Sequence, residues 1–316
     1  MSLRSAREPA FCHGMFAGCR QGRRRYQTEV ECPIMPELPE VETVARGLRA
    51  VLPGRRIVDV RLGKTDFMDN PAEIGSRVPG SLVRAVRRHG KFLVLDLEHD
   101  GARPGKELLV VHLGMTGQLR VVPADAEIAP HTHAFFSLDD SRELRFRDPR
   151  RFGRMLVAAP AEEEKILGPL GADPTEVGEE EFGRRITSRR ARIKALLLDQ
   201  TVFRGMGNIY TDESLWRAKI HPARLGANLK PAEVARLYRA VRSILAEAIR
   251  LGGSSISDFV GSNGEPGEFQ IRHRAYDREG KKCSRCGTKI RRMIVAGRSS
   301  YFCPHCQRAP RSTRKA

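Results

Sequence analysis

The chain has 316 residues, 30% charged and 40% apolar, and its 56 Lys and Arg against 38 Asp and Glu leave a formal net charge of +18. A length of this order holds two domains with separate cores, and no run approaches the ~20 apolar residues of a membrane-spanning helix. The positive excess favours a polyanionic partner, nucleic acid above all. The seven cysteines, four of them clustered near the C-terminus, read as metal ligands in a reducing, cytoplasmic compartment, not as a disulfide framework.

Residues 1–34 keep neither a helical nor a strand period. They carry Arg20, Arg23, Arg24 and Arg25 with scattered Cys12, Cys19 and Cys32, and no apolar core of a secretory signal. They read as sequence upstream of a true start at Met35; a disordered basic arm and an Arg-rich transit peptide are the other readings. Met35-Pro36-Glu37-Leu38-Pro39-Glu40 then leads into an amphipathic helix. Pro39 suits a first helical position, and Glu40 and Glu42 suit the positive end of the helix dipole. Val41, Val44, Ala45, Leu48 and Leu52 give one apolar face, and Pro53-Gly54 ends it. If synthesis starts at Met35 and that residue is removed, the Pro36 nitrogen is a secondary amine and a nucleophile. If synthesis starts at Met1, the same nitrogen is a tertiary amide without an available lone pair.

About eight short strands are expected over residues 56–160, which predicts a sandwich or barrel. Lys91 starts one of them, after Arg87-Arg88-His89-Gly90. Asp148-Pro149-Arg150-Arg151-Phe152-Gly153 puts guanidiniums beside an aromatic ring in a loop, as a wedge filling the gap left by an extruded base requires. A linker is expected over 161–182. Helices follow to about residue 251, interrupted by the turn Gly205-Met206-Gly207-Asn208 and reopened at Pro231, and residues 261–281 read as loop. Last, Cys283-x2-Cys286-x16-Cys303-x2-Cys306 has the spacing of two knuckles closing one structural zinc site, with Gly297-Arg298-Ser299 at a hairpin tip suited to phosphate and His305 at the surface. A basic tail, 308–316, ends the chain.

Together these motifs resemble the bacterial formamidopyrimidine-DNA glycosylase family. PELPEVET at 36–43, HLGMTG at 112–117, DPRRFG at 148–153, GNIY at 207–210 and the four-cysteine finger stand in the family's order. The resemblance runs from Met35 to about Gln307. It implies an α+β, multidomain fold: an extension (1–34), a helix plus β-sandwich domain (35–160), the linker, a helical helix-two-turn-helix domain (183–260), a lesion-capping loop (261–282) and a zinc-finger β-hairpin (283–307). It implies Pro36 as nucleophile, Glu37 as the acid beside it, Glu40 as a second active-site carboxylate and Lys91 as a catalytic strand lysine. Met115, Arg150 and Phe152 would enter the duplex, and Asn208 and Arg298 would hold phosphates. The implied activity is excision of oxidised purines (8-oxoguanine and formamidopyrimidines) from double-stranded DNA and cleavage of the abasic site by a monomer. It needs no cofactor beyond one structural Zn2+. Two alternatives stand beside it: a damaged-DNA-binding protein without catalysis if the extension persists, and an endonuclease VIII-type enzyme acting on oxidised pyrimidines. Leu38, where that sibling family has glycine, favours the purine branch.

Overall fold

The computed structural model describes residues 35–100, 104–255, 259–262 and 264–309; the expected extension (1–34) and the tail from residue 310 lie outside the described residues. The first helix, α1 (Leu38–Arg49), begins one residue earlier than its proline suggests, with Glu37 as N-cap and Pro39 in its first turn. Leu38, Pro39, Val41, Val44, Ala45 and Leu48 are its buried apolar side chains.

Eight strands follow: β1 (Ile57–Leu62), β2 (Leu82–His89), β3 (Phe92–His99), β4 (Gly105–His112), β5 (Gln118–Pro123), β6 (Thr132–Leu138), β7 (Arg142–Arg147) and β8 (Arg154–Ala158). They form two four-stranded antiparallel sheets, ordered β1-β6-β7-β5 and β2-β3-β4-β8. Alternate residues of both sheets, among them Val86, Leu95, Val111, Phe136, Phe146 and Met155, meet in one core together with α1. A short helix absent from the expected elements, α2 (Pro71–Arg77), packs on β1 and β8.

The strands β3 and β4 read as continuous apolar runs because both of their faces are covered. Their second face, with Phe92, Val94, Leu108 and Val110, packs under Ile166, Leu167 and Leu170. Those residues belong to the expected linker, which thus carries the helix α3 (Glu163–Leu167) and does structural work on the sandwich.

The helical part consists of α4 (Glu179–Thr187), α5 (Ile193–Leu198), α6 (Asn208–Ala218) and α7 (Pro231–Arg250), and the hairpin β9 (Arg291–Val295) with β10 (Arg298–Phe302) follows. Arg298 and Ser299 therefore lie within β10, and the turn is Ala296-Gly297, both with positive φ. The two cores exchange a residue each. Leu38 of α1 is buried in the helical core, while Phe259 from beyond α7 is buried in the sandwich core. Each contributes about 2 kcal/mol by burial. Arg88, 6% exposed, adds a charged tie by pairing Glu42 of α1 at 2.9 Å and Asp173, ahead of α4, at 2.8 Å. These contacts fix how the start of α1 meets α6.

Candidate active site

The turn before α1 inserts into a notch of the helical part. Leu38 N–H donates to Gly205 O at 3.0 Å. Glu37, 3% exposed, points its carboxylate at the N-terminus of α6, accepting from Ile209 N–H at 3.0 Å and Tyr210 N–H at 3.4 Å. Two otherwise unsatisfied helix amides thus meet a carboxylate at the positive end of the dipole. Gly205, Gly207 and Gly253 line the notch, and a Cβ on any of them would strike Leu38, Glu37 or Glu40 respectively. Burial raises the Glu37 carboxyl to about 7, with Glu40 adding to the rise and Lys91 and the helix amides opposing it.

Glu40, 2% exposed, closes the turn from inside: its Oε2 accepts from Glu37 N–H at 2.9 Å. Its Oε1 accepts from Ser254 N–H at 2.7 Å and from the Tyr210 hydroxyl. Burial raises its pKa, and the Tyr210, Ser254 and Glu37 donors work against that. Pro36 is buried at the head of this arrangement, one residue from Glu37 and four from Glu40.

Lys91 lies at the β2–β3 turn, beside Gly90 with its positive φ. Burial lowers its pKa, and Arg298 pushes the same way, while Glu37 and Glu40 favour its charge. One lysine thus feels the charges of both carboxylates and of the hairpin arginine. His112 at the end of β4 stands near Lys91 and Arg154; burial and those two cations push its pKa down to about 3. Its Nδ1 accepts from Gly114 N–H at 3.0 Å, so its one proton resides on Nε2 and it offers a neutral donor among cations.

Two loops meet at the rim. Gly114, in the turn bearing Met115, has room for no side chain, because a Cβ would stand 2.3 Å from the Phe152 carbonyl carbon. Asp148, fully buried, accepts from the Thr116 hydroxyl and from Gly153 N–H, the latter at 2.7 Å, and Arg150 N–H reaches Thr116 Oγ1 at 3.3 Å. Met115, Arg150 and Phe152 are thereby held as one projection. Phe152 is 51% exposed, with the Arg150 guanidinium 4.9 Å from its ring centroid.

Asn208 opens α6 directly after Gly207, and its side chain works against the burial that raises the Tyr276 pKa. Arg298 opens β10, whose position rests on a buried ion pair. Lys194 Nζ bonds Asp212 Oδ1 at 2.7 Å and Ser299 O at 2.6 Å, and Asp212 Oδ2 accepts from Tyr301 N–H at 2.9 Å. Next along α6, Glu213 accepts the N–H groups of Arg274, Ala275 and Tyr276 at 2.8–3.0 Å. Successive acidic residues of one helix thus anchor the hairpin and the turn carrying Tyr276.

Cys283, Cys286, Cys303 and Cys306 bring their Sγ atoms within 4.8 Å of one another, with Cys286 lying 3.5 Å from both Cys303 and Cys306. A tetrahedral zinc with Zn–S bonds of about 2.3 Å needs sulfur separations of about 3.8 Å, so the four thiolates suit that ion and leave no open position. Gln307 ties this knuckle to the end of α6, accepting from Cys303 N–H and donating to Ile220 O.

All nine residues expected at the active site or against DNA lie in these elements, with Pro36, Glu37 and Glu40 drawn together and Lys91 feeling the charges of the two carboxylates. Tyr210, Ser254, His112 and Tyr276 were not singled out from the sequence. Tyr210 and His112 lay within quoted motifs, but nothing local marks which carboxylate or cation each one meets.

Sequence comparison matches three regions. The formamidopyrimidine-DNA glycosylase N-terminal domain covers residues 35–155, the formamidopyrimidine-DNA glycosylase H2TH domain residues 170–260, and a zinc finger found in FPG and IleRS residues 280–309. The formamidopyrimidine-DNA glycosylase of Pelotomaculum thermopropionicum is 43% identical over 280 residues, covering 87% of this chain and 99% of that protein. That of Solibacter usitatus is 44% identical over 276 residues, covering 87% and 100%. Among solved structures, the MutM (FPG) protein of Thermus thermophilus aligns with a TM-score of 0.75 at 41% identity over 86% of this chain and 98% of that one. The Lactococcus lactis Fpg in complex with abasic-site DNA aligns with a TM-score of 0.77 at 33% identity over 86% and 100%.

Proposed function

The chain belongs to the formamidopyrimidine-DNA glycosylase family, and on that premise we propose that it excises oxidised purines from duplex DNA and then cuts the abasic site through a Schiff base on Pro36. The observation that carries this reading is the buried pair Glu37 and Glu40 directly after Pro36, with the Glu37 carboxyl moved to about 7. The reading requires Pro36 to be the first residue of the acting protein, and the match of the family's N-terminal domain beginning at residue 35 supports that.

In the proposed sequence the neutral Pro36 nitrogen attacks C1′ of the deoxyribose, the base leaves with the electrons of the glycosidic bond, and the proton the nitrogen then carries passes to the departing base, which restores the nitrogen lone pair. Glu37, half protonated near neutrality, gives its proton to the ring oxygen O4′ as the nitrogen lone pair opens the sugar to an iminium. The iminium is an electron sink that acidifies C2′–H. Loss of that proton expels the 3′ phosphate, and a second elimination expels the 5′ phosphate. Glu40 orients the turn through the Glu37 N–H. Lys91, coupled by charge to both carboxylates, meets the DNA backbone and stabilises their ionised forms.

Met115, Arg150 and Phe152 fill the space of the extruded nucleotide, while Asn208, Tyr276, His112 and Arg298 provide donors for the backbone on either side. The zinc, held by Cys283, Cys286, Cys303 and Cys306, takes no part in the reaction and fixes the hairpin that carries Arg298. Neither alternative gains support: the matched domains and relatives are those of the purine-branch family. The test is a duplex containing 8-oxoguanine. Base release with strand scission leaving phosphates at both ends is expected, and Pro36→Gly should impair both. Base release with an intact strand would refute the lyase half.

A further inference from the structure

Beyond Glu40 a line of buried polar groups continues through Tyr210, Ser254 and His273, which are 0%, 3% and 7% exposed. Tyr210 Oη lies 3.4 Å from Ser254 Oγ, which lies 3.2 Å from His273 Nε2. The first contact is long for a hydroxyl pair, so most of the coupling runs through the Ser254 main chain, whose N–H reaches Glu40 at 2.7 Å. That approach requires Gly253, with φ +82°, where a Cβ would stand 2.7 Å from Glu40 Oε1.

The tautomer of His273 decides the direction of this line. Tyr210 spends its only hydroxyl proton on Glu40. The Ser254 proton is then free for Tyr210 only if His273 donates Nε2–H to Ser254. Burial and the neighbouring Arg278 push His273 down to about 4, so near neutrality it is neutral, with one proton to place. Edge contacts with Phe269 and Tyr276, at ring-centroid distances of 5.6 Å each, pack its ring on two sides.

The geometry points to His273 and Ser254 as positioning residues for the reaction: they set the Ser254 N–H and the Tyr210 hydroxyl on Glu40, and Glu40 in turn sets the Glu37–Pro36 turn. This rests on the functional reading above, in which that turn bears the nucleophile.

The test is His273→Phe, which keeps the edge contacts and removes Nε2, compared with His273→Gln, whose amide N–H restores a donor. Single-turnover base release from 8-oxoguanine duplex should fall about three- to tenfold in the Phe variant, with duplex affinity within about twofold of the parent. The Gln variant should recover most of the rate. An undiminished rate in His273→Phe overturns the inference, as does an equal loss in both variants or a loss carried by affinity. If His273→Phe does not fold, Ser254→Ala reads the same link, with the same rate loss expected and an unchanged rate contradicting it. A parent protein that releases no base sinks the functional reading itself, whereas an active parent with indifferent variants sinks only this inference.

Discussion

Gly207 and Glu37 compete for one small volume: a Cβ on Gly207 would stand 2.1 Å from Glu37 Cδ. The Gly207 φ of −136° is open to any residue, so the requirement is space alone. Gly207→Ala is therefore expected to push the Glu37 carboxylate off the α6 amides. The stability cost should be about 1–3 kcal/mol, as for overpacking elsewhere. The rate of base release should fall at least about tenfold, since a displaced catalytic group loses more than the fold does. Chemical denaturation and single-turnover kinetics on the same variant read the two effects separately.

The Glu37 carboxyl at about 7 sets a pH dependence. If Glu37 supplies a proton to O4′, base release should decline above a midpoint near that value, about tenfold per unit at the limit. Glu37→Gln should be slow and lack that limb. The stability linkage has a definite sign. A carboxyl raised in the folded state contributes stability below its unfolded value near 4.5, and the contribution is lost as pH rises through about 7. The Gln variant should therefore gain on the parent between pH 5 and pH 9, by on the order of 2 kcal/mol. A difference that is flat across this range would show that Glu37 does not titrate there.

Phe152 is half exposed with the Arg150 guanidinium over its ring, so its removal costs little in the free protein. Phe152→Ala should leave the melting temperature within a degree or two, since exposed substitutions cost less than about 0.5 kcal/mol. Affinity for lesion duplex should weaken about tenfold, and a fluorescent base analogue beside the lesion should report less unstacking. Unchanged unstacking would remove the wedge role.

Several features were legible in the sequence because they are local. The eight strands, the α1 stripe and the cysteine spacing all follow from period or spacing within a short window, and the zinc site and the α+β arrangement stand as expected. What escaped depends on contacts between distant segments. Gly207 appears in the sequence only as a turn residue and Gly253 carries no signal of its own, and nothing nearby tells that their missing side chains admit Glu37 and Glu40. Residues 92–97 and 108–113 are mostly apolar along their length because both faces of β3 and β4 are covered, and the cover comes from the distant segment expected as a linker. Gly297-Arg298-Ser299 is expected at the hairpin tip; the turn is Ala296-Gly297, so Arg298 gains strand pairing with Val295.

The zinc site offers a separate test. Metal binding and local folding are one free energy in such a knuckle. Removing the ion should loosen β9 and β10 and with them Arg298, although Lys194 and Asp212 still anchor the strand from below. Metal analysis should find one zinc per chain. A chelated sample should bind duplex DNA at least about tenfold more weakly at fixed salt and recover on adding Zn2+. An apoprotein of undiminished affinity would show that the zinc does not set the hairpin's hold on DNA.

The most direct test of the central claim is borohydride trapping on 8-oxoguanine duplex, followed by mass mapping of the adduct. Protein beginning at Pro36 should be trapped covalently, with the DNA remnant on the Pro36 nitrogen, and protein retaining Met1 should not be trapped. An adduct on a lysine, or trapping by chains with Met1 intact, would contradict the assignment of Pro36 as the nucleophile.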